Sequence, residues 1–388
     1  MSEDSKNIPF RILNFAKGQG IPTFKENRNN LWIDYGKDNL YPQFLLDVFN
    51  NYSNKHKAII NRKVDMTTGN GIKEPMTPEL QKFAANKWGS KDLEEISVRI
   101  NFDYEICGGF AILVRWNIDG TSIAAIDFLP FDKCRLSPCE EKILVSKDWS
   151  NPRRNENKPV EYCRFSPRKA VEYPSQVFYF VEETNGVDYY PLPYYSSTLN
   201  WISLDFEISQ FHLSSVRNGF QPGFILNFST GIPTLQEMDN AYKEFEKRYT
   251  GTENAGKFIL TFSEGQEQRP EFIPINLNDS DERFIMLHKE MMDEIFIGHQ
   301  VTDPQLFGVR VPGELGGRDS LLENLAMFQS VYVSSKQGVI EKQLDKLAKW
   351  ANVVEPIKFN DYEIDFSSID DQEVPETREE EEIQKETN

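Results

Sequence analysis

Three carboxylates lie along one long predicted helix in the last third of the chain, where together they could hold a divalent metal ion. Asp279 and Asp281 stand at the start of this helix, and Asp293 follows about three turns later. Carboxylate oxygens are preferred ligands of Mg²⁺ and Ca²⁺, and a bound ion can assist phosphodiester cleavage. One hypothesis is therefore a metal-dependent phosphodiester-cleaving enzyme, which would lose nuclease activity when these residues are changed to alanine.

The histidines do not form a catalytic motif. None belongs to a His-Glu-x-x-His pattern or stands beside a serine or cysteine nucleophile. His288 and the acidic residues of 290–294 share a predicted helix with Arg283 and Lys289, so a metal or acid–base site competes there with a solvated helix face. The solvated face is the usual arrangement of such charges. The sequence favours a protein that is not an enzyme and holds no metal or cofactor. The four histidines are His56, His212, His288 and His299.

The cysteines and glycines also lack the spacing of a cofactor site. Cys134 and Cys139 are separated by four residues, with no second pair or histidine pair to complete a zinc site. With Cys107 and Cys163 they are predicted to be buried or partly exposed thiols in a reducing compartment. Gly18-Gln-Gly20 lacks the third glycine of a dinucleotide loop, and no Gly-Lys-Ser/Thr phosphate loop occurs.

The charge of the chain argues against tight binding to nucleic acid. The 388 residues carry a net charge of −18 and show no cluster of lysine and arginine that would neutralise phosphates. Such a charge does not prevent DNA from moving past the protein, because a surface that repels phosphates offers no strong electrostatic binding site at which the DNA would be held. No run of 18 apolar residues occurs and the first residues do not form a signal sequence, which predicts a soluble protein.

The acidic residues are concentrated at the C-terminal end. Residues 355–388 include 13 acidic and 3 basic side chains, a net charge of −10, which leaves −8 for the first 354 residues. Residues 367–388 are predicted to be a disordered, solvated tail. In 351–366, alternating apolar residues predict a strand or a small further region that packs on the body.

Two long helices that flank a small module are the main organisational feature. Apolar periodicity predicts helices over 196–217 and 280–297. Between them, 224–228, 257–262 and 271–277 read as strands around one short helix. A module of about 55 residues is too small to bury a core by itself, so it must pack against neighbours such as copies of itself.

A loop rich in glycine and proline follows the second long helix. Residues 298–318 contain Pro304, Pro312 and several glycines, which exclude long regular structure. A third long helix is predicted to begin at Ser320, whose hydroxyl would form a capping box with Glu323, and to run to about residue 350.

The N-terminal half reads as an α+β body. Helices are predicted from Tyr41 onward and over 56–66, 79–88 and 93–104. Strands are predicted over 110–116, 122–129, 142–146, 161–165 and 177–181, and the turn signal Ile118-Asp-Gly120 joins the first two in a hairpin.

The order of these segments resembles the portal proteins of tailed bacteriophages, and more specifically the group similar to the HK97 portal. The resemblance covers most of residues 30–350. It is carried by the succession of motifs rather than by any one of them. These motifs are Asp38-Asn-Leu-Tyr-Pro42, Gly69-Asn-Gly71, Tyr104-Glu-Ile-Cys-Gly-Gly-Phe-Ala111, Tyr194-Tyr195, Arg217-Asn-Gly-Phe-Gln-Pro-Gly-Phe-Ile-Leu226, Asn254-Ala-Gly-Lys-Phe-Ile-Leu260, and 284–304 with the glycine-rich loop.

The resemblance implies an elongated α+β subunit with named regions. It assigns 1–195 to the wing, 196–217 and 280–297 to antiparallel stem helices, and 218–279 to a small α/β clip. It assigns 298–318 to the tunnel loop, 319–350 to a long wing helix, and 351–366 to a C-terminal strand or small crown.

The same resemblance suggests which residues meet partners. In the tunnel loop, Arg310 would be the cation nearest to DNA, although pairing with a neighbouring carboxylate is an equally favoured alternative. In the clip, charged residues would face the terminase. The tunnel-loop residues are Val309, Arg310, Val311, Glu314 and Arg318, and the clip residues are Lys243, Glu246, Lys247 and Arg248.

The implied function is a ring of about twelve copies at one vertex of the capsid, through which double-stranded DNA enters and leaves. The implied partners are the large terminase, capsid or scaffold proteins and head-to-tail connector proteins, without a membrane. The protein would act in the virion and, during assembly, in the host cytoplasm. A non-enzymatic neck or minor capsid protein is a further alternative.

Overall fold

A computed structural model describes residues 31–217, 280–309 and 318–363. It also describes the backbone of four short strands, which are β1 (Lys25–Glu26), Phe224–Phe228, Phe258–Phe262 and Glu271–Pro274. Strand β1 pairs antiparallel with β2 (Ile33–Asp34). Within these residues the fold is a mixed α+β arrangement around a six-stranded sheet. The predicted α+β class is therefore confirmed.

Four helices precede the large sheet. They are α1 (Tyr41–Asp47), α2 (Asn54–Thr68), α3 (Pro78–Ala85) and α4 (Leu93–Cys107). Polar side chains cap the starts of α2, α3 and α4; at the beginning of α4, the Asp92 carboxylate accepts a hydrogen bond from the backbone N–H of Glu95 at 2.8 Å. The same helix ends at Gly108, which adopts a left-handed conformation (φ 83°).

The six-stranded sheet has the order β4-β3-β8-β7-β6-β5. Neighbouring strands are antiparallel except β7 and β8, which are parallel. The predicted hairpin of β3 and β4 is confirmed, and Gly120 in its turn has φ 66°. In this sheet, sequence analysis missed only the short β5. The strands are β3 (Gly109–Trp116), β4 (Ile123–Leu129), β5 (Cys134–Leu136), β6 (Lys142–Val145), β7 (Val160–Arg164) and β8 (Ser175–Val181).

The sheet carries a hydrophobic core on each face, because successive side chains of a strand point to opposite faces. Along β3, Phe110, Ile112 and Val114 join one buried cluster. This cluster also includes residues of α3, most of α4 and the helix Ser334–Ala348. Ala111 joins the other cluster. This cluster includes residues of α1 and α2, of the start of the helix Leu199–Arg217 and of the end of the helix Ser280–Gly298.

The long helices lie close to their predicted positions. They are α5 (Leu199–Arg217), preceded by a 3₁₀ turn at Ser196–Thr198, and α6 (Ser280–Gly298). Between them in sequence, β9 (Phe224–Phe228) is the central strand of a three-stranded sheet, parallel to β10 (Phe258–Phe262) and antiparallel to β11 (Glu271–Pro274).

The third long helix differs in two ways from its prediction. It begins at Arg318, so Ser320 and Glu323 lie inside its first turns and do not form the predicted starting box. It is also interrupted, because α7 (Arg318–Phe328) and α8 (Ser334–Ala348) are joined by a π-helical turn at Gln329–Val333. A second π-helical turn, Val48–Tyr52, follows α1. Such turns hold one extra residue and carry no simple sequence signal.

The segment after α8 packs back on the body, as predicted, but with a single β-bridge between Ile72 and Phe359 in place of a strand. The Glu341 carboxylate accepts a hydrogen bond from the backbone N–H of Phe359 at 3.0 Å. Asp345 accepts one from the backbone N–H of Ile357 at 2.8 Å. These bonds hold the segment antiparallel to α8. The predicted tail, 367–388, lies outside the described residues.

Candidate functional site

The candidate site is the place where α5 begins and α6 ends, which we call the root of the paired helices. Leu199 and Ile202 of α5 share a buried cluster with Met291 and Ile295 of α6. The start of one helix meets the end of the other, so the pair is antiparallel. The approach is closest at Gly298, where an added Cβ atom would lie 1.6 Å from Thr198 Oγ1.

A Gly298→Ala variant is therefore expected to lose roughly 1–3 kcal/mol of stability, because the new methyl group overlaps the Thr198 side chain. The measurement is the free energy of unfolding in urea. The matched control is Gly338→Ala in α8, where a Cβ atom would meet nothing within 4 Å. That variant should gain up to about 1 kcal/mol from helix propensity. Equal effects of the two changes would refute the close contact.

A chain of buried polar side chains crosses the root. Tyr194 and Tyr195 immediately precede the 3₁₀ turn before α5, and His299 immediately follows α6. The Tyr194 hydroxyl lies 3.1 Å from His299 Nδ1, and His299 Nε2 lies 2.8 Å from His56 Nδ1 on α2. The ring of Tyr195 stacks on His299 at 5.1 Å. The start of α5 and the end of α6 are thus joined to the body through polar contacts.

Lys63 of α2 is the cation in this chain, and it is fully buried. Its ammonium group donates hydrogen bonds to the backbone oxygen of His299 and, at 3.2 Å, to the hydroxyl of Tyr194. It lies 3.8 Å from the ring centre of Tyr332 and 4.4 Å from that of Tyr194. Burial lowers the pKa of Lys63 to about 7, although Glu105 favours the charged form.

Glu105 of α4 is the buried anion opposite Lys63. The Tyr332 hydroxyl lies 2.9 Å and 2.8 Å from the two oxygens of the Glu105 carboxylate, to which it donates a hydrogen bond. Tyr332 therefore separates the two charges, with its ring face on the ammonium and its hydroxyl on the carboxylate. Burial, followed by the charge of Glu105, raises the pKa of Tyr332 well above its ordinary value.

The first part of the predicted tunnel loop is anchored to the same region. Asp303 caps a 3₁₀ turn, Pro304–Phe307, by accepting a hydrogen bond from the N–H of Gln305 at 2.7 Å. Asn324 of α7 donates to the other oxygen of Asp303. The buried Phe307 ring meets Phe328 edge-on at 5.5 Å. Both ends of the glycine-rich segment are therefore held together.

The structure places only some of the residues predicted to contact partners. Val309 is half-buried against the core at the end of the anchored segment. Arg318 begins α7, and only its backbone is described. The remaining tunnel-loop residues Arg310, Val311 and Glu314, and the clip residues Lys243, Glu246, Lys247 and Arg248, lie outside the described residues.

Of the three carboxylates of the enzyme hypothesis, the structure describes the side chain of only one. Asp293 is exposed on α6, Asp279 lies outside the described residues, and only the backbone of Asp281 is described. His288 is also exposed on α6. Across the described ranges, no group of three metal-ligating side chains could hold an ion. In the same residues, no helix is long and apolar enough to cross a membrane.

Sequence reasoning missed the polar chain at the root. His56 and His299 are 243 residues apart, and Lys63 and His299 are 236 apart. One local signal was present, since Lys63 stands four residues after Ile59 and one before Val64, on the apolar side of its helix.

Comparison with solved structures shows that the fold is similar to that of chains in the gene transfer agent particle. A chain in the neck of the native gene transfer agent particle, computed with C12 symmetry, has a TM-score of 0.54 at 12% identity, covering 89% of this chain and 88% of that one. A chain in the virion of the native gene transfer agent particle has a TM-score of 0.53 at 12% identity, with coverages of 88% and 87%.

A HK97-family phage portal protein from Corynebacterium diphtheriae has a TM-score of 0.46 at 12% identity, covering 78% of this chain and 92% of that one. The comparison of the sequence with protein-family models and with curated proteins gives no match. The chain shares its fold with chains of the gene transfer agent particle.

Proposed function

We propose that the chain is a portal protein, a non-enzymatic subunit that forms a ring at one vertex of a phage capsid. The observation that carries this proposal is the antiparallel pair α5 and α6, which joins the α+β body at one end and leads into a small three-stranded sheet at the other. The shared fold with a neck chain computed with C12 symmetry supports ring formation. We propose a 12-mer.

In this proposal the predicted regions keep their roles. The α+β body is the wing, α5 and α6 are the stem, and the β9–β11 module is the clip that would meet the large terminase and, later, connector proteins. The tunnel loop is 298–318, and the contact between Asp303 and Asn324 holds it at its base. A loop whose base is fixed could follow or check the DNA without altering the stem.

The proposed mechanism is passive. A net charge of −18 gives DNA few sites at which to bind tightly, so double-stranded DNA can slide through the ring in both directions. Arg310 would be the cation nearest to the phosphates. Force from a separate motor would pass from the clip through the stem to the shell. A neck or minor capsid protein would not need two long helices around a small module.

Images of the purified particle, viewed face-on, test the proposal. A ring with a central hole and countable symmetry is expected. A population of monomers at the protein concentration of assembly would refute it. A nuclease assay with a divalent ion separates the enzyme hypothesis, since the portal proposal expects no cleavage and no change on Asp293→Ala.

The ring requires contacts between copies, and exposed apolar side chains on α6, on α7 and on the π-helical turn are suited to make them. Met327 and Val331 are 56% and 64% exposed. Each apolar side chain buried between subunits contributes roughly 1.5–3 kcal/mol. The exposed apolar residues on these three elements are Met286, Ile297, Leu322, Met327 and Val331.

A Met327→Asp, Val331→Asp variant is therefore expected to convert rings into monomers, as measured by native mass spectrometry. The control is Ile118→Asp, which replaces a 99% exposed apolar side chain in the β3–β4 turn and should leave the ring intact. Rings that persist in the double variant would exclude Met327 and Val331 from the interface between copies.

A further inference from the structure

The two histidines at the root share one hydrogen between facing ring nitrogens. His56 Nδ1 and His299 Nε2 are 2.8 Å apart, which requires that one nitrogen donates and the other accepts. Both side chains are fully buried. His56 Nε2 has no hydrogen-bond partner among the described residues. Within the described residues, no acceptor therefore lies beside His56 Nε2 to stabilise a second N–H on that ring.

The charged groups around the pair do not favour a positive ring. The nearest is Lys63 of α2, which donates to the backbone oxygen of His299. Glu105 of α4 is occupied by Tyr332. Lys336 of α8 lies beyond Tyr194, where it bonds to Tyr104 of α4 and to Glu182 after β8.

The segment before α5 contributes only phenols, which are Tyr194 and Tyr195, and Tyr195 donates to the backbone oxygen of Ile106 at 2.8 Å. Asp205 of α5 is occupied by Lys55 at 2.8 Å and by Ser53 at 2.5 Å, both at the start of α2. Within the described residues, no carboxylate is hydrogen-bonded to either imidazole. A proton added to the pair would thus remain uncompensated.

We propose that the chain Lys63–Tyr194–His299–His56 is an acid-sensitive lock, which holds the end of α6 and the anchored segment 301–309 on the body and opens when the histidine pair takes up a proton. The added charge then lies on a buried imidazole that has no carboxylate partner, which destabilises the closed arrangement. The new charge is also repelled by Lys63. Opening exposes both rings to water, where the positive charge is stabilised. The importance of this motion for DNA passage rests on the proposed function.

The direction of the pKa shifts agrees with this lock. Burial first, and then the charge of Lys63, lowers the pKa of His56 to about 3. Burial, His56 and Lys63 lower the pKa of His299 well below its ordinary value. In the open state both groups return to about 6.5. Between pH 6.5 and about 3 the open state therefore binds more protons than the closed state, and acid favours opening.

Hydrogen exchange measured by mass spectrometry on the full chain tests the lock. The readout is the exchange of 293–309 at pH 7 and pH 5, corrected for intrinsic rates and compared with α4. Each histidine that titrates only in the open state should increase opening roughly 30-fold at pH 5. The matched controls His212→Gln and His288→Gln change exposed histidines and should keep the full pH effect.

The variant His56→Gln, His299→Gln should open equally at both pH values, because glutamine cannot take up the proton. Persistence of the wild-type pH effect in this double variant would overturn the proposal. So would a wild-type segment 293–309 that opens no more at pH 5 than at pH 7, a result that needs no variant to fold. Particle images at pH 7 report separately on the ring, so failure of the lock and failure of the portal proposal are distinguishable.

Discussion

An Arg135→Met variant is expected to lose roughly 3–5 kcal/mol of stability, because it removes a fully buried cation from oxygens that have gathered around it. The guanidinium donates to Asn39 through its side-chain and backbone oxygens, both at 2.6 Å. It also donates to the backbone oxygens of Asp132 at 2.9 Å and Cys134 at 2.7 Å, and to Gln43 at 3.2 Å. Methionine fills similar volume but donates to none of them.

The measurement is the free energy of unfolding in urea, with Arg164→Met as the control. The Arg164 side chain is 40% exposed, and its ion pair with Glu140 is 3.8 Å long, so its loss should cost less than about 1 kcal/mol. The difference between the variants isolates burial from charge. A loss below about 1 kcal/mol for Arg135→Met would mean that water replaces the guanidinium.

A Tyr332→Phe variant is expected to lose roughly 2–3 kcal/mol, because the Glu105 carboxylate is buried and both of its oxygens accept from this hydroxyl. The ring that covers Lys63 stays in place, so the change removes only the hydrogen bond. We also expect faster hydrogen exchange at the end of α6, since the cluster joins that end to the body.

Tyr179→Phe is the matched control. Tyr179 is buried on β8, and its hydroxyl has no hydrogen-bond partner among the described residues. Removing an unsatisfied buried hydroxyl should leave stability unchanged or raise it. The comparison therefore sets a satisfied phenol against an unsatisfied one at equal change in volume. Equal losses for both variants would show that the Tyr332 hydroxyl adds nothing to the root.

Local patterns predicted most of the helices and strands of this fold. The bounds of α5 and β9 were recovered because apolar periodicity and flanking glycines are properties of adjacent residues. The three residues of β5 were missed, since so short a strand depends on its neighbour β6 for its existence. The start of α7 was placed two residues late because Ser320 and Glu323 imitate a capping box inside the helix.

The root could not be predicted for a different reason. The position of Lys63 on the apolar side of α2 indicates burial, but only the tertiary structure shows that Tyr332 lies between Lys63 and Glu105. Buried polar networks are specified by contacts over hundreds of residues, which one sequence does not reveal. Arg135 was missed in the same way, because its oxygen acceptors include residues 39 and 43.

The π-helical turn at Gln329–Val333 lets the two halves of the long helix be oriented independently. Each helical residue advances the side chains by about 100°, so deleting one residue of the turn would rotate α7 by that angle relative to α8. Phe328 would then face away from Phe307, while Ile340 and its neighbours kept their places under the sheet. Insertions and deletions at this turn would therefore change the orientation of α7, while α8 and the body keep theirs.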